Sequence, residues 1–188
     1  MKKDNQKINL VRDMLIMIGD NPERNGLKDT PQRVVKMWSE VFRGYNKKNK
    51  PVVTTFENNS DGIMYDQMIV DSGYFFSYCE HHMVPFFGKY YFAYIPDKKI
   101  IGLSKVARMV DYFSARLQIQ ERLVKDVVDE LEKILQPKGI ALVIQARHLC
   151  KEMRGVIKYN GEMTTSDLRG AFRKNESIRM EFMNYIRN

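Results

Sequence analysis

The sequence predicts an α+β fold, with a helical amino-terminal part followed by an antiparallel sheet and helices laid against it. Apolar residues recur at helical spacing over the first 44 residues, and short β-branched and aromatic runs take over from Ile63. These runs are joined by tight connections rich in breaker residues, not by regularly alternating helices, which favours antiparallel pairing. A glycine-rich dinucleotide fingerprint after a strand is absent, so a doubly wound parallel sheet is not indicated.

Residues 6–19 place Ile8, Val11, Leu15 and Ile18 on one face, and the pattern stops at Gly19-Asp20-Asn21-Pro22. A second helix is expected with Thr30 as N-cap and Pro31 at the first helical position. Its apolar stripe is Val34, Met37, Trp38 and Val41, before Gly44. Residues 46–51 and 57–62 are turn clusters too short to separate folding units. Residues 74–78 and 86–95 read as strands, the latter closed by Pro96-Asp97. Helical patterns return twice, first from Ser104 through Val106, Met109, Val110 and Phe113, then over about 118–135 through Leu123, Val127, Leu131 and Ile134. Pro137-Lys138-Gly139 ends the second. Residues 140–146 suit a buried strand, with residues 153–159 as its returning hairpin partner, and a last helix near 176–187 buries Ile178 and Phe182.

A chain of 188 residues buries roughly 70% of its unfolded surface and needs no disulfide staples. One domain is therefore expected over 1–188, with a helical part at 1–50 and a strand-rich part at 63–188. No uncharged apolar run approaches the ~18 residues of a membrane span, and no export signal is evident. The expected setting is the cytoplasm, where thiols stay reduced. The net charge is +8, from 31 Lys and Arg against 23 Asp and Glu. Lys2, Lys3, Lys47, Lys48 and Lys50 sit in polar stretches without interleaved aromatics, so charge alone does not indicate a nucleic-acid partner.

The scarce residues are more telling. Both cysteines and all three histidines fall into Cys79-Glu80-His81-His82 and His148-Leu149-Cys150. The C-x2-H spacing lets a tight turn bring Cys79 and His82 to one ion, Cys150 adds a second thiolate from downstream, and zinc suits such donors. His81 is expected to point elsewhere. On an extended segment His148 and Cys150 project from the same face. Spacing leaves two metal sites open: three ligands with a free position, or a closed Cys2His2 site with His148 as the fourth. A Cys79–Cys150 disulfide is a further alternative, weakened by a reducing compartment.

Gly102-Leu103-Ser104-Lys105 lies between a strand and a helix, so Ser104 can cap the helix while free N–H groups face an anion. Lys105 and Arg108 oppose the helix dipole there, which favours phosphate binding over simple capping, with a solvated helix start as the other reading. Glu121, in Gln118-Ile119-Gln120-Glu121-Arg122, is either a favourable first-turn acid or an acceptor for the donor edge of guanine. Arg154 is either a surface ion-pair partner or a further phosphate anchor.

Taken in order, Cys79 to His82, Gly102 to Lys105, Gln118 to Arg122 and His148 to Val156 closely resemble the GTP cyclohydrolase I family. The likeness extends to Gly26-Leu27-Lys28-Asp29-Thr30-Pro31-Gln32-Arg33-Val34, Thr164-Thr165-Ser166 and Gly170-Ala171-Phe172. The resemblance implies a tunnelling fold, an antiparallel sheet with two helices on one face, preceded by an N-terminal helical pair. It also implies a barrel assembled from several copies, commonly a homodecamer of two pentamers, with active sites between subunits. By the same resemblance Cys79, His82 and Cys150 are zinc ligands and His81 and His148 the catalytic acid/base pair. Ser104, Lys105, Arg108 and Arg154 then hold ribose and triphosphate, and Gln120 and Glu121 recognise guanine. The implied reaction takes GTP and water to 7,8-dihydroneopterin triphosphate and formate. Lys151-Glu152 departs from a commonly apolar pair, Tyr91 from a frequent histidine and Ala115 from a frequent basic residue.

Overall fold

The computed structural model describes residues 2–187, and the chain divides into two compact units between Arg43 and Gly44. The first unit pairs α1 (Lys2–Met17) with α2 (Thr30–Val41). Val11 is buried, with Ile8, Leu15, Val34, Val35, Trp38 and Val41 half-buried. Met37, expected on the stripe, is 40% exposed. The second helix begins at Thr30 with Asp29 at the cap position, one residue earlier than the proline signal suggests. Between the helices, Arg24 clamps Asp20 through two 2.8 Å hydrogen bonds.

The second unit is built on a five-stranded sheet ordered β5-β2-β3-β6-β7. Its long members are β2 (Ile69–Cys79), β3 (Pro85–Ile95), β6 (Gly139–His148) and β7 (Glu162–Gly170), all antiparallel. The two-residue β5 (Leu117–Gln118) joins β2 in parallel, beside Tyr78 and Cys79. A separate ribbon pairs β1 (Thr55–Glu57) with β4 (Lys99–Ile101).

Alternation along the strands decides what lies on each face. Phe75, Phe86, Tyr90, Phe92, Tyr94, Ile140, Leu142 and Ile144 form one buried layer. Against it pack α3 (Ser104–Ser114) and α4 (Gln120–Leu135), through Met109, Val110, Leu123, Val127 and Leu131. The opposite face is covered as well: Ala93, Ile95, Ala141 and Val143 pack with Phe172 and Phe182, which belong to α6 (Ala171–Lys174) and α7 (Glu176–Arg187). α3 and α4 are thus the two helices on one face, as expected, and the closing helices shield the apolar end of the second face.

Gly88 lets β3 and β6 approach closely, since a Cβ there would lie 1.9 Å from the carbonyl oxygen of Gln145. The expected hairpin partner at 153–159 is corrected. After His148 the chain makes a helical turn, α5 (Leu149–Glu152), and then a loop in which Gly155, Ile157 and Asn160 take positive φ. The returning strand is β7, whose Thr- and Ser-rich outer edge lacks the apolar alternation that marks a strand in sequence. Among the described residues no helix is long and apolar enough to cross a membrane.

Candidate active site

β2 ends on Cys79, and residues 80–84 make a tight return to β3. The return is closed by the Cys79 amide on the Val84 carbonyl (2.9 Å) and the Met83 amide on the Cys79 carbonyl (2.8 Å). The β3–β6 register sets His148 opposite Phe86, next to that return, so the second scarce-residue segment arrives at the first. Cys150 lies on α5, a helical turn, so the same-face argument for an extended His148–Cys150 segment does not apply. Even so, the ligand atoms of Cys79, His82 and Cys150 all lie within 4.8 Å of one another. Cys79 Sγ is 3.9 Å from His82 Nδ1, near the edge of about 3.6 Å expected of a tetrahedron with Zn–S about 2.3 Å and Zn–N about 2.1 Å.

Both cysteines are free thiols. Burial, and then the neighbouring Cys79, push the Cys150 thiol above its ordinary pKa. A dication between the two sulfurs removes that opposition, because the ligating form is the thiolate. The donor set thus fits a metal ion of zinc's preferences.

His81 does not turn away as expected. Its Nδ1 lies 3.7 Å from Cys79 Sγ and its Nε2 4.0 Å from a Glu80 carboxylate oxygen, with the side chain 64% exposed. It stands beside the three-ligand group without joining it. His148 is half-buried and stacked on Phe86, with ring centroids 4.7 Å apart and planes 3° from parallel. Its Nε2 is 2.8 Å from Gln120 Oε1, so it is engaged by an amide and not by the cysteines. Burial pushes this imidazole below its ordinary pKa, the Glu121 carboxylate opposes that shift, and Lys151 adds to it.

Glu121 stands exposed in the first turn of α4, next to Gln120. Arg154 is exposed too, its Nη1 3.0 Å from His82 Nε2. Gln120, expected with Glu121 at the base, is only 1% exposed, and both ends of its amide are used inside the protein.

Ser104, Lys105 and Arg108 are not brought to this end of the sheet. The strand that precedes them ends on Ile101, whose amide donates to the Tyr94 hydroxyl, and Tyr94 pairs with Ile69 at the far end of β2. From there α3 runs some 16 Å before Arg116, whose carbonyl meets Ser77 near Cys79. Ser104 makes no side-chain cap, contrary to expectation, because the helix starts on Ser104 itself with Leu103 at the cap position.

The motifs and their placement can now be set beside known proteins. The sequence profile of GTP cyclohydrolase I matches residues 8–187. The chain belongs to the GTP cyclohydrolase I family. It is 45% identical over 179 residues to a GTP cyclohydrolase 1 of Wolinella succinogenes, covering 95% of this chain and 94% of that one. A Sulfurihydrogenibium relative of the same name is 49% identical over 177 residues, covering 94% and 91%. That of Deinococcus radiodurans is 46% identical over 177 residues, covering 94% and 81%.

In this member of the GTP cyclohydrolase I family, sequence reasoning missed the groups that brace the site. Glu80 forms an ion pair with Arg122, tying the ligand-bearing turn to α4. Arg122 also donates to Gln118, whose own amide reaches the Phe113 carbonyl and Asp126. A signal existed for Gln120: it occupies the position on the stripe of Leu123, Val127 and Leu131 where an apolar residue belongs. Glu152, one of the departures from the family pattern, is 4% exposed and binds Arg147 through both carboxylate oxygens.

Proposed function

We propose that the chain catalyses the zinc-dependent hydrolysis and rearrangement of GTP to 7,8-dihydroneopterin triphosphate and formate, the first step of tetrahydrofolate-type pterin synthesis, in the cytoplasm. The observation that carries this reading is the Cys79–His82–Cys150 group, with two further histidines beside it that are not part of it. Three protein ligands leave a coordination position for substrate or water. Bound there, zinc supplies a Lewis acid that acidifies water near neutral pH.

The protein's own groups then divide the remaining work. Glu121 accepts hydrogen bonds from the N1–H and 2-amino group of guanine, a donor pair that adenine lacks. His148, half-buried and held against Phe86, delivers a proton to the imidazole-ring nitrogen of the purine as that ring opens. The exposed His81 serves the proton transfers at the ribose. Arg154, Ser104, Lys105 and Arg108 hold the unreacting triphosphate, whose binding energy positions the base.

Ser104, Lys105 and Arg108 lie at the far end of β2 from the metal group, so one chain does not bring all these roles together. That separation supports a homo-oligomer, a decamer of two pentamers, in which one copy's cations serve another copy's metal group. The open edges agree: among the described residues β2 is paired on one side only over residues 69–77, and β7 has one neighbour.

The test is incubation with GTP while following formate and pterin fluorescence, with and without a chelator. Turnover that disappears on metal removal and returns with zinc is expected. Saturable GTP binding without formate would make the protein a zinc-stabilised nucleotide-binding module instead. His148→Ala should lower turnover by about 10²–10⁴-fold while the protein keeps its zinc.

A further inference from the structure

The amide of Gln120 has an orientation that its surroundings dictate. Its nitrogen lies 3.0 Å from the Ile144 carbonyl oxygen, 2.9 Å from the Met163 carbonyl oxygen and 3.0 Å from Thr165 Oγ1. Carbonyl oxygens only accept, so that end of the amide has to be the NH2 group, and a flipped side chain would set oxygen against oxygen in a buried place. The Gln120 oxygen is thereby fixed on His148 Nε2, at 2.8 Å. Since an amide oxygen only accepts, Nε2 has to carry the hydrogen.

We propose that Gln120 is a positioning residue that holds His148 in its Nε2–H form and so leaves Nδ1 as the nitrogen free of the protein's own hydrogen bonds. The two carbonyls that orient the amide come from neighbouring strands, β6 and β7, while Gln120 itself opens α4. The tautomer of the histidine is thus set by the docking of a helix onto a strand pair. Phe86 fixes the ring plane from the other side, leaving little freedom to turn Nε2 toward substrate.

The inference deepens the role given to His148 above and rests on that reading for its catalytic meaning. With Nε2–H held on Gln120, Nδ1 is the nitrogen left to serve the proton transfer of that reading, and the ring keeps one geometry while it does so.

Two measurements on the zinc-loaded protein decide the matter. In solid-state NMR of protein carrying ¹⁵N-histidine, the His148 signals are assigned by their loss in His148→Asn. They should show a protonated Nε2 and a bare Nδ1 when the ring is neutral. In Gln120→Met, which keeps length and removes the acceptor, both tautomers should appear. The same variant should lose kcat on the order of 10²-fold, with KM for GTP changed by less than about threefold and the zinc content unchanged. An Nδ1–H tautomer in the unaltered protein overturns the proposal, even if the methionine variant fails to fold. So does a Gln120→Met protein with intact kcat, raised KM and weakened preference for GTP over inosine triphosphate, the pattern of a base-contacting residue. Failure of the functional reading itself shows differently: the unaltered protein would release no formate, while the tautomer measurement would still judge the hydrogen bond.

Discussion

At the scale of single residues, the molecule places polar groups inside where a geometric purpose can be named. Gln120 orients His148, and Tyr90, 2% exposed, donates to Asp71 at 3.1 Å across the β2–β3 pair. Burial raises the Asp71 carboxyl above its ordinary pKa despite hydrogen bonds from Tyr90 and the Ser72 backbone. The folded protein therefore binds more protons here than the unfolded chain. This contribution to stability is complete below the unfolded value of about 3.9, and it declines as pH rises through the raised one. Asp71→Asn keeps an oxygen for the Tyr90 hydroxyl but removes the charge. Its melting temperature relative to the parent should climb across that window and level off above it, as thermal melts from pH 4 to 8 can establish. A difference independent of pH would refute the assignment. The Cys79–His82–Cys150 group was legible in the sequence because cysteine and histidine are scarce and clustered. The posture of His81 was not, because a three-residue spacing fixes which side chains can converge and says nothing of where the residue between them rests.

Among the elements, legibility followed burial. α3, α4, β3 and β6 announced themselves because their inward residues alternate or recur at full apolar strength, from Phe86 to Ile95 and from Leu123 to Leu135. β7 did not, since its Glu162-Met163-Thr164-Thr165-Ser166 segment sits at an edge and is held by backbone pairing and by the Gln120 amide, with an arginine further along the strand. Arg169 on β7 reaches Glu132 and Asp129 of α4 at 2.6 Å each, and Asp167 at 2.5 Å. Replacing it with methionine leaves three carboxylates facing one another. Because the guanidinium is partly solvated, the loss should be modest, about 1–2 kcal/mol, or a fall of roughly 2–8 °C in melting temperature. The gap between variant and parent should change on going from low salt to 1 M, where screening acts within about 3 Å. A gap unaffected by salt would mean that Arg169 acts through its hydrocarbon stem instead. The helical turn α5 was the other surprise. It places Cys150 by curling directly after His148, a local choice that apolar periodicity does not register.

For the molecule as a whole, the sequence revealed the parts of the site better than their distribution. Four motifs in chain order look like one pocket, yet Ser104 and Lys105 follow closely on Ile101 where it meets Tyr94, with Arg108 one turn along α3, and the Cys79–His82–Cys150 group lies where Tyr78 meets Pro85. Only the path of β2 and α3 shows that these are opposite ends. The shared-site reading makes a sharp prediction: His148→Ala and Lys105→Met chains, each inactive alone, should regain roughly a quarter of the parent rate when refolded together in equal amounts. Equal amounts of two inactive proteins that remain inactive would place the cations and the metal in one chain after all. On the proposed sharing of sites, the length of α3, about 16 Å, has a genetic consequence: a chain damaged at both ends would spoil a site with each of two neighbours, so such an allele, expressed beside an intact one, would be dominant-negative.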